Sequence, residues 1–406
     1  MNVPLRVLHV GKFFPPHRGG MEVFLADLVR AQRAAGVEAF ALVHGQPLPG
    51  DPDWLVRVPV QLEVIHAPLA LGFRATLNRA IARFAPDVLH LHMPNSAMLP
   101  MLASPAARAI PWVVHWHSDV IVSRIRKALA LAYAFYRPFE QAVLARAERI
   151  IVTSVPYLDA SAPLAPWRDK CAVVPLGMDP ELCAQPPGPA APAWQPGALR
   201  LLSIGRLTYY KGFETLIRAV APMAGVQLLI VGGGELHWRL QEIIERSTPA
   251  GRLPNVTLLG EVGEADKHAL LASCDVLCLA SRERSEAFGM VLLEAMLHAK
   301  PCLASDLAGS GMPWLVRESG CGRLVPTESI DGWQAAITAL SGDADARRLL
   351  GESGRRAFNQ RFTAAACAQA LQAEYAVATG GRRRKPLRDA CWWWCRRVTR
   401  PAPSAR

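Results

Sequence analysis

Short apolar runs of four to six residues alternate with longer stretches of helical periodicity from Leu5 to Ala304, and this alternation constrains the chain more than any other feature. Strand-like runs lie at Leu5–Val10, Ala39–Val43, Val88–Leu91, Trp112–His115 and Ile150–Thr153, with a helix from about Met21 to Ala34 after the first. Between Pro186 and Gly197 the pattern breaks at PPGPAAPAWQPG, where five prolines in twelve residues leave too few backbone donors for helix or sheet. It then restarts at Leu201–Ile204, Leu228–Val231, Val256–Leu259, Val276–Leu279 and Pro301–Ala304, with helices over Phe213–Val220 and from Glu235. The predicted class is α/β, with Rossmann-like doubly wound domains at 1–185 and 199–362 and a Pro-rich linker at 186–198. A helix at 363–380 that packs back on the first domain and a tail at 381–406 complete the division. Two such domains in series bring the carboxyl ends of both strand sets to one cleft, and chemistry is expected on the loops facing it.

At 406 residues, with 51% apolar and 19% charged residues, the chain excludes a disulfide-stapled miniprotein, a coiled-coil rod and wholesale disorder. Its nearest approach to a membrane span, Ala128–Tyr136, falls far short of the roughly 20 apolar residues needed, so neither a span nor a signal peptide is expected. Nine cysteines scattered from Cys171 to Cys395 without Cys-x-x-Cys spacing read as reduced thiols, hence a cytoplasmic compartment. The net charge of +11 would suit a nucleic-acid partner, but residues 381–406 hold nine of the basic residues against Asp389 alone, leaving +3 elsewhere. Nucleic acid is therefore not expected. Trp392, Trp393 and Trp394 beside that charge suit an anionic membrane surface, with a solvated basic tail as the competing reading. The stretch 124–149 reads equally as a peripheral membrane helix or as a core helix with a basic first turn.

Three patterns in the second half suggest an anion site. Gly205, Arg206, Lys211 and Gly212 place two cations on a strand-to-helix loop, which suits a diphosphate. Gly232-Gly233-Gly234 is a weaker turn signal and does not match G-x-G-x-x-G. Glu286 and Glu294 flank Phe288, Gly289 and Met290 at the start of a helix, where free N–H groups can meet an anion between two hydroxyl-gripping carboxylates.

The combination of Gly205-Arg206, Lys211-Gly212 and Glu286-x7-Glu294 around Ala-Phe-Gly resembles the group 1, or family 4, retaining glycosyltransferases of the GT-B fold, over nearly the whole chain to about residue 378. The resemblance implies a hexosyltransferase that uses a nucleotide-sugar donor and needs no metal or other cofactor. In it Arg206 and Lys211 neutralise the diphosphate and the leaving group. Glu294 holds the ribose, Glu286 binds the sugar hydroxyls, and Gly205 with Phe288, Gly289 and Met290 lines the phosphate and sugar pocket. The base lies near Gly260 and Val262. Gly19 and Gly20 match the family's glycine-rich loop, facing both donor phosphate and acceptor. His117 matches its strand-end histidine beside the donor sugar, with Asp119 as a secondary acceptor-side candidate.

His90-x-His92 and His115-x-His117 end neighbouring predicted strands, and side chains two apart on a strand share a face, so a metal-dependent hydrolase is a rival reading. It leaves Arg206, Lys211, Glu286 and Glu294 without a role. A non-catalytic nucleotide-sugar-binding protein is the other alternative. Asp51-Pro-Asp53 lies in a Gly/Pro loop and reads as a turn. The chain departs from the family at Gly309-Ser-Gly-Met-Pro-Trp314, where many relatives carry Glu in place of Trp. A similar turn among O-antigen and exopolysaccharide transferases implies GDP-mannose or a related donor. The basic tail and the 124–149 stretch, which would bring the cleft to a lipid surface, point to a lipid-linked saccharide acceptor and to a protein peripheral at the inner face of the cytoplasmic membrane. No carboxylate stands out as a covalent nucleophile, so same-face displacement with the departing phosphate as base is the expected route to retention.

Overall fold

The computed structural model describes residues 4–17, 19–64, 67–120, 127–181 and 194–381. The first half runs β1 (Arg6–Val10), α1 (Gly20–Ala34), β2 (Glu38–His44), β3 (Leu55–Val58), β4 (Leu62–Val64), β5 (Ala67–Leu69), α2 (Phe73–Phe84), β6 (Val88–Met93), α3 (Met98–Ala103), α4 (Pro105–Arg108), β7 (Trp112–Trp116), α5 (Lys127–Arg146), β8 (Arg149–Val152), α6 (Val155–Ala160) and β9 (Cys171–Val173). The second runs β10 (Leu199–Ile204), α7 (Phe213–Val220), β11 (Val226–Val231), α8 (His237–Ser247), β12 (Val256–Gly260), α9 (Glu264–Ser273), β13 (Val276–Leu279), α10 (Met290–Leu297), β14 (Cys302–Ser305), α11 (Gly311–Ser319), β15 (Gly322–Val325), α12 (Ile330–Ser341), α13 (Ala344–Arg361) and α14 (Ala364–Thr379). The tail 382–406, most of the proline-rich linker, and Arg124 and Arg126 lie outside the described residues.

Two parallel sheets follow from this order, β3-β2-β1-β6-β7-β8-β9 and β12-β11-β10-β13-β14-β15. Each is covered by helices on both faces, which is why its central strands are apolar throughout; every residue of β11, Val-Gln-Leu-Leu-Ile-Val, is buried. Strand order reverses at β1 in one sheet and at β10 in the other, so the loops after these strands, residues 11–19 and 205–212, open at the crevices where such sheets bind ligands. The apolar alternation does not reveal β3, a sheet-edge strand with two half-exposed residues, or the exposed β4–β5 hairpin. The helix expected from Glu235 begins at His237, because Gly234 lies where a Cβ would meet the Leu207 carbonyl oxygen at 2.6 Å.

The chain crosses between the halves twice, and the crossings touch. Met178 N–H donates to Phe362 O at 3.0 Å and Ala364 N–H to Met178 O at 2.8 Å. Gly177 sits so close that a Cβ there would lie 2.2 Å from Thr363 O. Beyond this point α14 returns to the first half, packs along α1, and is fixed to β8 by the Arg149–Glu374 ion pair at 2.7 Å.

Candidate active site in the interdomain cleft

The β10–α7 loop is shaped by glycines whose neighbours leave no room for a side chain. A Cβ on Gly232 would lie 2.0 Å from Gly205 O, and one on Gly212, at φ +67°, would lie 2.0 Å from Ala280 O. This close packing turns Lys211 inward, where Nζ meets Glu286 Oε2 at 2.5 Å, with both side chains 12% exposed. Burial alone would lower the Lys211 ammonium, but Glu286, Tyr210 and Glu294 outweigh it and raise the pKa above the usual lysine range. Ser281 Oγ donates to the same Glu286 oxygen at 3.2 Å, and Ser310 Oγ donates to the Glu286 carbonyl at 2.6 Å. Among the described residues, no partner takes Oε1 of Glu286. Arg206, on the same loop, is exposed.

Gly289, at φ +84°, starts α10, which carries Met290 at its first position and Glu294 one turn on. Glu294 Oε1 pairs with Lys267 Nζ at 2.9 Å, and Glu264 holds that lysine from the other side at 2.6 Å. Burial opposes the Lys267 charge, yet the two carboxylates raise its pKa overall. Lys267 lies on α9, which directly follows the Gly260–Val262 turn, so the positions expected at ribose and base adjoin one another. Gly260 takes φ +70° and accepts from Gly232 N–H at 2.8 Å, while Val262 is half-buried against the core.

From the opposite wall, the glycine loop of the first half faces the start of α10: a Cβ on Gly20 would come within 3.4 Å of Met290 Cγ. Gly19 leaves space filled by the Glu22 carboxylate, whose Oε2 would be 2.1 Å from a Cβ there. Sequence reasoning missed Lys12 on this loop. Burial pushes its pKa below the usual lysine range, Glu22 and Glu63 oppose that, and Arg206 across the cleft adds to the lowering. Lys12, Arg206 and Lys211 thus gather cationic charge from both halves, and a small polyanion between them would meet it from either side.

Asp119, expected near the acceptor, instead bolts the halves together. Its Oδ1 accepts from Trp116 Nε1 at 2.9 Å and Ser161 Oγ at 2.6 Å, and its Oδ2 receives Arg284 Nη2 of the second half at 3.0 Å. With both oxygens engaged, this carboxylate is a joint and not an open acid. Arg284 also donates to Gly309 O at 3.1 Å. The Gly309–Trp314 turn braces the Glu286 loop, with Gly311 N–H bonding Ala287 O at 2.7 Å and Trp314 bridging Phe288 and Phe362.

His117 follows β7, and its N–H bonds Met93 O at 3.0 Å. Strand register sets His9 beside His90 and His92 beside His115, so with His117 five buried histidines share one sheet face. Nitrogens of His9, His90 and His92, and of His92, His115 and His117, lie within 4.8 Å of one another. The ring planes of the neighbouring pairs among His90, His92, His115 and His117 lie at 10–19° to one another. The short nitrogen contacts, 3.1 Å from His9 to His92 and 3.0 Å from His92 to His117, are hydrogen bonds. These bonds engage nitrogens of His9, His92 and His117, and the hydrolase reading, which needs free lone pairs about 2.0–2.1 Å from one ion and leaves Arg206, Lys211, Glu286 and Glu294 without a role, is not favoured.

Comparison with known proteins agrees with this arrangement. Residues 189–357 match the model for glycosyl transferases group 1, and residues 19–177 match the glycosyl transferase 4-like domain. The chain is 28% identical over 375 residues to O-antigen chain mannosyltransferase C of Escherichia coli, covering 89% of this chain and 95% of that one. It is 29% identical over 371 residues to D-rhamnosyltransferase WbpZ of Pseudomonas aeruginosa, covering 89% and 93%. It is 29% identical over 341 residues to a phosphatidyl-myo-inositol mannosyltransferase of Mycolicibacterium smegmatis, covering 81% and 83%. Among solved structures, sucrose-phosphate synthase from Thermosynechococcus elongatus superposes with a TM-score of 0.73 at 22% identity, covering 93% of this chain and 100% of that one. WaaG, a glycosyltransferase involved in lipopolysaccharide biosynthesis, superposes at 0.66 with 17% identity and the same coverage. By its two matched domains and its paired Rossmann-like halves, the chain belongs to the group 1 glycosyltransferases of the GT-B fold.

Proposed function

We propose that the protein transfers mannose or a related hexose from a GDP-linked donor to a membrane-linked saccharide of a cell-surface polysaccharide, with retention at the anomeric carbon and without a metal. The observation that carries this reading is the Lys211–Glu286 pair beside Arg206, with Lys12 opposite. The cations stabilise the diphosphate as negative charge develops on its departing oxygen, the task a metal performs elsewhere. Glu286 directs sugar hydroxyls next to that phosphate, Glu294 takes the ribose, the α10 N-terminus and Gly19–Gly20 enclose the phosphates, and His117 contacts the sugar. Oε2 of Glu286 is already held by Lys211 and Ser281, which suits an orienting group better than a covalent nucleophile. The leaving phosphate then takes the acceptor proton on the face where the new bond forms.

The mannosyl- and rhamnosyltransferase relatives support this class of sugar, and their printed names include O-antigen chains and phosphatidyl-myo-inositol. Among the described residues no helix is long and apolar enough to cross a membrane. Leu62, Val64, Leu69 and Leu71 around the β4–β5 hairpin are exposed, Leu71 at 90%, and Phe135 and Phe139 are exposed on α5. Ser96, just before α3, bonds Pro68 of that hairpin, and α3 packs on α5, so α3 links the two elements. These exposed apolar side chains suit a lipid-linked acceptor and peripheral attachment at the inner face of the cytoplasmic membrane, with 381–406 as a second contact. The test is nucleotide release from UDP-, GDP-, dTDP- and ADP-sugars with a membrane extract and EDTA present. Release from GDP-mannose that Glu294→Ala abolishes is the expected result. Activity that chelation removes would overturn the metal-free mechanism, and release from a different donor would overturn the sugar assignment.

A further inference from the structure

His117 is the last link of a buried hydrogen-bond chain that begins on the returning helix. Tyr375 of α14 accepts from Gln32 Nε2 at 2.9 Å. Gln32 Oε1 meets His9 Nε2 at 2.8 Å, His9 Nδ1 meets His92 Nε2 at 3.1 Å, and His92 Nδ1 meets His117 Nε2 at 3.0 Å. Gln32 and His9 are 0% exposed, His92 is 2%, and Phe24 presses edge-on against His92 and His117. Burial in this dry stack holds every ring neutral: His9 is lowered to about 4 and His117 to about 3, and His92 falls well below its ordinary value through burial and its neighbours' charges.

A neutral imidazole has one N–H and one lone pair, so in an unbroken chain each ring's direction dictates the next. An amide oxygen can only accept, which puts the His9 proton on Nε2 and leaves Nδ1 bare. His92 must then donate from Nε2 to His9, and His117 from Nε2 to His92. This leaves the Nδ1 lone pair of His117, at the cleft end of β7, as the one imidazole acceptor in the chain not already engaged. Turning the Gln32 amide over would reverse every link and place a proton on that nitrogen. The Tyr375 hydroxyl also meets His90 Nδ1 at 2.6 Å; with its own proton given to that nitrogen it can only receive the amide N–H, and so it resists that reversal.

We propose that Gln32 is a positioning residue for transfer, fixing His117 as the Nε2–H tautomer so that Nδ1 accepts a hydrogen bond from a substrate hydroxyl. The catalytic consequence rests on the glycosyltransferase reading above, but the tautomer itself does not. The test is long-range proton–nitrogen NMR of the full chain labelled with nitrogen-15 histidine, His117 being assigned by its loss in His117→Asn. The wild type is expected to show Nε2–H with bare Nδ1 at His117. Gln32→Met should mix the two tautomers, while Gln32→Glu, whose ionised carboxylate can only accept from His9, should restore the original. With the sugar donor, Gln32→Met should lower kcat/KM about tenfold, the size of one hydrogen bond, with unchanged Kd for the free nucleoside diphosphate. A proton on His117 Nδ1 in the wild type, or an unaltered tautomer in Gln32→Met, would overturn the proposal. Should Gln32→Met fail to fold, Tyr375→Phe removes the hydroxyl that orients the amide and is expected to give the same mixing. If the tautomers behave as stated but no sugar donor is used, the proposal about the chain stands and the transferase reading fails.

Discussion

Removing either member of the Lys211–Glu286 pair should harm folding and chemistry in separable ways. The contact is 2.5 Å, and each side chain is only 12% exposed, so a single substitution leaves the remaining charge desolvated. Breaking such pairs costs about 3–5 kcal/mol. After Lys211→Met, Ser281 still donates to Glu286 at 3.2 Å, which puts the loss near the lower end, about 3 kcal/mol. Glu286→Gln should cost about the same, since it leaves the ammonium facing a neutral amide. The double variant leaves no stranded charge and should lose no more than either single one, a coupling of about 3 kcal/mol. Urea unfolding followed by tryptophan fluorescence reads this as a midpoint lowered by roughly 1 M in each single variant and no further in the double. Sugar transfer should be lost in all three, because the double variant, though no less stable than either single one, still lacks the cation under the phosphate. Additive stability losses would refute the claim that the two groups neutralise one another. A double variant that transfers sugar normally would refute their place at the reacting centre.

Three shorter predictions address the cleft and its supports. Arg284→Ala removes the cross-cleft bond to Asp119 and should shift the closed arrangement toward open by about 2 kcal/mol, near 30-fold, seen as a larger radius of gyration in solution scattering; an unchanged radius would contradict the joint. Lys12→Met should weaken nucleoside diphosphate binding about tenfold by calorimetry, and unaltered affinity would remove Lys12 from the anion site. The histidine stack should make acid unfolding steep: these rings are neutral in the fold and titrate near 6.5 once unfolded, so stability is full above 6.5 and declines as pH falls toward 4, by about 3 kcal/mol for His9 alone. His115→Phe, at a ring whose two nitrogens have no partner among the described residues, should lower the acid midpoint on the pH scale, and an unmoved midpoint would refute this account.

How much of this was legible in the sequence varied with the distance over which each signal acts. The strand runs were clear because a parallel sheet buried on both faces needs unbroken apolar residues, and Phe213–Val220 and Val276–Leu279 coincide with α7 and β13. Arg206, Lys211, Glu286 and Glu294 were singled out through local spacing, and the structure brings two of them, Lys211 and Glu286, into contact. The partner of Glu294 was not, since Lys267 sits 27 residues earlier on an unremarkable amphipathic helix. Lys12 was hidden for the same reason, being a lone cation whose neighbour Arg206 is supplied by the other half. The His-x-His pairs correctly placed their rings on one face, but spacing along strands cannot distinguish rings hydrogen-bonded to one another from rings that ligate a metal. Gln32 did leave a trace: it is a polar residue on the α1 stripe that carries Leu25, Leu28 and Val29. What that amide served became visible only with His9 and Tyr375 beside it.

The stitched crossings at Gly177–Met178 and Phe362–Ala364 have a mechanical meaning. Two independent tethers would let the second half slide, twist and tilt. Two strands of chain bonded to each other at the same spot behave as one pin, and α14 stays with the first half on the far side of it. Any opening of the cleft is then expected to be a rotation about that pin. Such a joint would return the two cleft walls to the same register each time they close, so alignment would be inherited from the hinge and need not be found again by diffusion.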